Sequence, residues 1–122
     1  MISVTHSIDK LAADLGSIPV RATRELPGVV HESAKDGNRI AKAFAKESAG
    51  AHGKHYHKAF TVERTGPLAY EYGPDESKPQ GGMSFEGGSR NQPPHNDLAK
   101  SADVVSVEFP AKVSETVGGW FW

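Results

Sequence analysis

The sequence predicts an α+β fold, with a long kinked helix and a C-terminal helix packed on a small antiparallel β-sheet and a long flexible loop between sheet and last helix. Three observations predict it. Apolar residues recur at helical spacing from Leu26 to Phe44 and again from Leu98 to Val113. Two alternating stretches, "HKAFTVERT" and "LAYEYG", are joined by "TGP" in the manner of a hairpin. Residues 74–94 are dominated by Gly, Pro, Ser and charge, and a loop of that length is either functional or disordered. A chain of 122 residues is read as a single domain, 1–122.

The elements follow in order. Ile2 and Val4 alternate with Ser3 and Thr5, which predicts a short N-terminal strand or arm. Ser7 can cap a short helix whose Ile8, Leu11, Ala12 and Leu15 share a face, and Gly16 is expected to stop it. A long helix then runs from about Pro19, well placed at a helix start, to Ala49, with a bend near Pro27. Its stripe is Leu26, Val30, Ser33, Gly37, Ile40 and Phe44. The small Ser33 and Gly37 thin that stripe, as if something approaches closely there. Gly50 and Gly53 end the helix.

In the first strand Phe60, Val62 and Arg64 alternate with Ala59, Thr61 and Glu63; in the second Leu68, Tyr70 and Tyr72 alternate with Ala69 and Glu71. The loop's composition is expected not to bury enough apolar surface to order itself. Asn96 or Asp97 can cap the last helix, carried by Leu98, Ala102, Val105, Phe109 and Val113. "VVSVEF" also alternates like a strand, but the helical reading is favoured, with a bend at Pro110. The chain closes on an aromatic tail, 118–122.

Composition excludes several classes. Hydrophobic residues make up 37%, with 13 Gly and 8 Pro, which predicts a small packed unit with long exposed segments. The net charge of -1 argues against a dedicated nucleic-acid binder. With no cysteine there is no disulfide, thiolate metal site or cysteine nucleophile, and the chain suits a reducing cytoplasm. No signal peptide or membrane span is expected, since the N-terminal stretch lacks the apolar run and no window is apolar enough.

The remaining constellations each have a plainer reading. His52, His55 and His57 lie close together, and His55 and His57 would share one side of a strand, the geometry of a weak zinc or nickel candidate. Exposed polar residues at a strand entrance explain them as well, so no metal and no cofactor is expected. Ser84, Ser89, His95 and Asp97 include the residue types of a hydrolase triad, but in a Gly-rich loop with no nucleophile elbow. Glu71, Asp75 and Glu76 fit no calcium-loop spacing. "GGMSFEGG" lacks the Lys-Ser/Thr of a phosphate-binding loop. Met83 and Phe85, its large apolar side chains, either fold back on the core or anchor another subunit. Arg21, Arg24, Lys35, Arg39, Lys42 and Lys46 are interleaved with Glu25, Glu32, Asp36 and Glu47, the pattern of a solvated face. Trp120, Phe121 and Trp122 are either core or partner contacts.

The layout resembles the tail-completion (neck, minor tail) family of long-tailed bacteriophages, in a version like those of actinobacterial phages. The likeness rests on the long helix ending "AKAFAKESAG", the strand end Tyr70-Glu71-Tyr72-Gly73 continuing into "PDESKPQGG", and the helix start with Pro93, Pro94, Leu98 and Ala102. It covers roughly 19–113. Where many members carry Thr-Gly-x-Leu before the hairpin, this chain reads "SAGAHGKHYHKAF". The resemblance implies a non-enzymatic virion protein, made in the host bacterial cytoplasm, that forms a homo-oligomeric six-fold ring at the head–tail junction. A tail-terminator or head-closure ring of the same neck, or a small nucleic-acid-binding protein of a mobile element, are the alternatives. The implied partners are other copies, neighbouring head-closure, tail-terminator and tail-tube proteins, and genomic DNA passing without sequence readout; no membrane is involved. On that reading Tyr70, Tyr72, Met83, Phe85, Trp120, Phe121 and Trp122 are candidate interface residues. Arg21, Arg24, Arg39 and Lys42 are candidate DNA-channel contacts.

Overall fold

The computed structural model describes residues 4–89 and 93–120, with side chains from Ala12 onward except that of Asp14. Helix α1 spans Val4–Ala49, strand β1 Phe60–Gly66, strand β2 Ala69–Pro74, the short helix α2 Ser84–Gly87 and helix α3 Asp97–Gly118. A 3-10 turn, Tyr56–Ala59, leads into β1. The class is α+β, as the patterning predicts.

Helix α1 corrects three expectations at once. Val4 and Thr5 are helical, so no strand forms there; residues 1–3 lie outside the described part. Gly16 does not stop a first helix, and Pro19 does not start a second. A glycine in a helix costs only about 1 kcal/mol against alanine, which good helix formers on either side offset. A proline lacks the N–H that would bond the carbonyl four residues back. For Pro27 that carbonyl belongs to Thr23, whose hydroxyl donates in turn to the Pro19 carbonyl at 2.9 Å. Both prolines nonetheless lie within one helix of 46 residues, about 69 Å long at 1.5 Å per residue.

The strands pair antiparallel, from Phe60 opposite Pro74 to Gly66 opposite Ala69, with an irregularity between Arg64 and Gly66. The Arg64 guanidinium donates to the Gly66 and Pro67 carbonyls at 3.0 and 3.1 Å, which ties the turn to its own strand. The hairpin lies against α1 where the stripe is thinnest. A Cβ on Gly37 would stand 2.6 Å from the Tyr72 ring, so only glycine lets that ring come down. The close approach read from Ser33 and Gly37 is therefore made by Tyr72.

Helix α3 returns antiparallel along α1. Asp97 at its start meets Ser48, Lys112 bridges to Asp36 at 2.7 Å, and Arg21 Nη1 donates to the Trp120 carbonyl at 3.1 Å. "VVSVEF" is thus helical, Pro110 included. The core lies at one end of this pair. Ala41, Ala45 and Ala49 repeat at four-residue spacing on α1, and Tyr56, Phe60 and Phe85 pack on that flat alanine row. Tyr72 and Leu98 close its sides.

Segment 74–94 departs most from expectation, because its described part up to Ser89 does find enough to order on. The Asp75 N–H donates to the Ala59 carbonyl at 2.8 Å, and successive turns bond Lys78 to Asp75 and Gly81 to Lys78. Gln80 spans the chain, accepting from the His55 N–H at 2.7 Å and donating to the His52 carbonyl at 2.6 Å. Phe85 stacks on Tyr56 with ring centroids 4.5 Å apart. One well-placed aromatic and a line of backbone bonds anchor a segment whose average composition is that of a disordered one.

The fold leaves much of itself uncovered. The accessible surface is 8137 Å², against roughly 6,400 Å² for a compact monomer of 13.1 kDa. Leu15 and Val20, on the part of α1 that runs past the end of α3, are 52% and 64% exposed.

Candidate functional site

Two features have the makings of a site: a buried polar cluster at the start of α3, and an apolar cleft between α1, α3 and the hairpin.

The polar cluster is built where α2 meets α3. Asn96 precedes α3 in the left-handed conformation, with φ at 57°, and its side chain makes no capping bond. The cap comes from elsewhere. Glu86, at the end of α2, accepts from the backbone N–H groups of Leu98 and Ala99 at 2.7 and 3.2 Å. A carboxylate there also faces the positive end of the helix dipole. Asp97 is released from capping and turns inward, fully buried. It accepts the Ser48 hydroxyl, which lies 2.9 Å from Oδ2 and 3.1 Å from Oδ1. His95 Nδ1 lies 2.9 Å from the same hydroxyl oxygen. The Tyr56 hydroxyl is buried nearby, with no hydrogen-bond partner among the described residues. Burial first, and then the charges of Glu86 and Asp97, push its proton affinity above the ordinary tyrosine range.

Ser48, His95 and Asp97 thus form a hydroxyl–imidazole–carboxylate group that sequence spacing did not show, because Ser48 lies on α1. Its order is wrong for nucleophilic catalysis. Ser48 has one proton and gives it to Asp97, so His95 Nδ1 must donate to the Ser48 oxygen. A general base would need its lone pair there. What the arrangement does is hold: it ties loop, α1 and α3 together at one point.

The predicted site residues fall as follows. His52 and His55 are exposed, and His57 is half-buried. His55 and His57 do not share one side, because they lie at a 3-10 turn rather than on a strand, where residues two apart diverge. Among the described residues no three His, Asp or Glu side chains are grouped to hold a metal ion. Burial, and then Lys46, Lys58, Lys42 and His55, hold the His57 imidazole below the ordinary histidine value.

Phe85 is inside the chain's own core, while Met83 beside it is 49% exposed. Trp120 is buried against α1; Phe121 and Trp122 lie outside the described residues. Arg21 is engaged by the Trp120 carbonyl, and it shares an open hollow with Arg24, Glu25 and Glu115, so acids accompany the bases there. Arg39 and Lys42 are exposed. No helix among the described residues is long and apolar enough to cross a membrane.

Tyr70 and Tyr72 matter more than their spacing alone showed. Tyr70 stacks on His31 of α1, centroids 4.5 Å apart. The Tyr72 hydroxyl is 2.8 Å from that of Ser101 on α3. The two rings stand the hairpin off from α3 and form one wall of the cleft. Its other lining is Val30, Ser33 and Ala34 from α1 and Val105 and Phe109 from α3, around about 140 Å³. The floor is open because Ser33 and Ala34 are small. The cleft is apolar, and it presents aromatic and aliphatic surface to whatever enters.

The chain matches no protein-family model, no curated protein and no solved structure at a significant level.

Proposed function

We propose that this chain is a structural protein of the head–tail junction of a long-tailed bacteriophage virion, forming a ring that completes the tail and joins it to the capsid connector. The observation that carries the reading is the fit between the resembling motifs and the ends of elements. Tyr70-Glu71-Tyr72-Gly73 closes strand β2, and Pro93 and Pro94 stand just before α3, on which Leu98 and Ala102 lie in the first turns. The order of long helix, hairpin, loop and last helix is the order that the resemblance implies. The geometry adds support of its own kind. The polar cluster is arranged to hold rather than to react, and the exposed apolar surface suits a protein that works by contact. Recognition in such a ring comes from shape and charge between stacked components, with basic residues of α1 near the lumen passing DNA without reading it.

The test is electron microscopy of lysates from a phage lacking this gene. Filled heads beside separate full-length tails are the expected result. Intact virions would overturn the reading.

A further inference from the structure

We propose that the exposed turn of α1 around Val20 seats in the apolar cleft of a second copy of this chain, head to tail. Both surfaces are on the same molecule, and among the described residues no side chain fills either of them. Val20 is 64% exposed, and with Pro19, Thr23 and Arg24 it borders an open hollow rather than a packed contact. The cleft begins at Val30, roughly 15 Å further along the same continuous helix, so a chain cannot fold its own Val20 into it while α1 is intact. A volume of about 140 Å³ floored by Ser33 and Ala34 admits a branched aliphatic side chain. The walls, Tyr70, Tyr72, Val105 and Phe109, offer it apolar contact on the remaining sides.

The area argues for a second copy as the occupant. The surface beyond that of a compact monomer is roughly 1,700 Å². In a head-to-tail assembly each copy gives up two patches, one for each neighbour, and a standard interface takes about 800 Å² from each partner. The surplus is large enough to supply two such patches. A knob on one part of a molecule and a hole on another make a heterologous contact, which closes into a ring or runs on as a filament. This deepens the ring in the function proposed above, but it stands on surfaces that exist whether or not the protein belongs to a phage neck.

The experiment measures solution mass by sedimentation over a concentration series, for the wild-type chain and two variants. Val20→Asp removes the knob and leaves the cleft. Val105→Trp fills the cleft and leaves the knob. Concentration-dependent assembly of the wild type, loss of assembly in each variant alone, and heterodimers on mixing the two are the expected results. A wild type that stays monomeric at all concentrations overturns the proposal. So does a Val105→Trp protein that still dimerises, which would mean that the exposed helix pairs with itself.

Folding is not a confounder in a second format. The chain has no cysteine, so a Val20→Cys, Val105→Cys double variant can form a disulfide only between copies. A ladder on oxidation is expected, and its absence under conditions where the wild type assembles would reject this pairing. Because these readouts are in solution, they fail independently of the lysate microscopy. An assembling chain from a phage with intact virions keeps the contact and loses the neck; a neck phenotype with a monomeric chain does the reverse.

Discussion

At the scale of single residues, Ser48 shows what can and cannot be read ahead. It lies outside the apolar stripe of α1, and nothing in its neighbours marks it. Its importance comes from Asp97, forty-nine positions away, which is fully buried and accepts from the Ser48 hydroxyl with both carboxylate oxygens. Ser48→Ala removes that donor, and weakening the satisfaction of a buried acceptor costs about 1–3 kcal/mol. Thermal or urea unfolding of the variant should show that loss; an unchanged midpoint would mean that solvent already reaches Asp97. His57 gives a second prediction. Its folded form binds protons more weakly than the unfolded chain, so the unfolded state takes up the extra proton. Stability should therefore fall as pH drops through the ordinary histidine value of 6.5, and the loss should be complete below the lowered folded value. His57→Gln should flatten that slope in a pH series of melting curves, and an equally steep slope would assign it to another group. Glu86 was equally hidden: no spacing in the sequence singles it out, yet it caps α3 because the fold brings α2 there.

At the scale of elements, the hairpin was the most legible part. Its alternation, short turn and closing Gly73 are all local signals, and local signals survive folding. The last helix was nearly as clear, since its 3.6-residue period outlasts the competing strand pattern when Pro110 falls in a helix rather than a ladder. The start of α1 was misread for the opposite reason. Gly16 and Pro19 are the usual punctuation of helices, but punctuation is a cost of a few kcal/mol or less, and a continuous run of helix formers can absorb it. The contact between Gly37 and Tyr72 turns this into a measurement. Gly37→Ala raises intrinsic helix propensity by up to about 1 kcal/mol. It also drives a methyl group into a ring held by its hydroxyl against Ser101, and such overpacking costs about 1–3 kcal/mol. The variant should be the less stable protein, with the Tyr72–Ser101 bond lengthened or broken. A raised melting temperature would mean that the ring yields freely.

At the scale of the whole molecule, the α+β class was legible because it follows from counting periods, while the arrangement was not. Nothing in the composition of 74–94 distinguishes a segment that docks through Phe85 from one that stays in solvent; a single ring stacked on Tyr56 decides it. The cleft was out of reach for the same reason: Val30, Tyr70 and Phe109 meet only after three elements have packed. The overall shape is measurable directly. A compact chain of this length has a radius of gyration near 14 Å, and α1 alone is about 69 Å long. Small-angle scattering at dilute concentration should give a radius clearly above the compact value, and a value at 14 Å would mean that α1 is broken and folded back.

The same helix has a consequence for the order of events in synthesis. Everything that covers α1 comes later in the chain: the hairpin that lands on Gly37, the ring of Phe85 on the alanine row, and α3 along its flank. An isolated helix holds together only marginally in water, and most of its stability in a protein comes from the face it buries. The emerging polypeptide therefore carries a long amphipathic stripe that is bare until the hairpin is made and only partly covered until α3 follows. During that interval the stripe is open to chaperones and to other nascent copies alike.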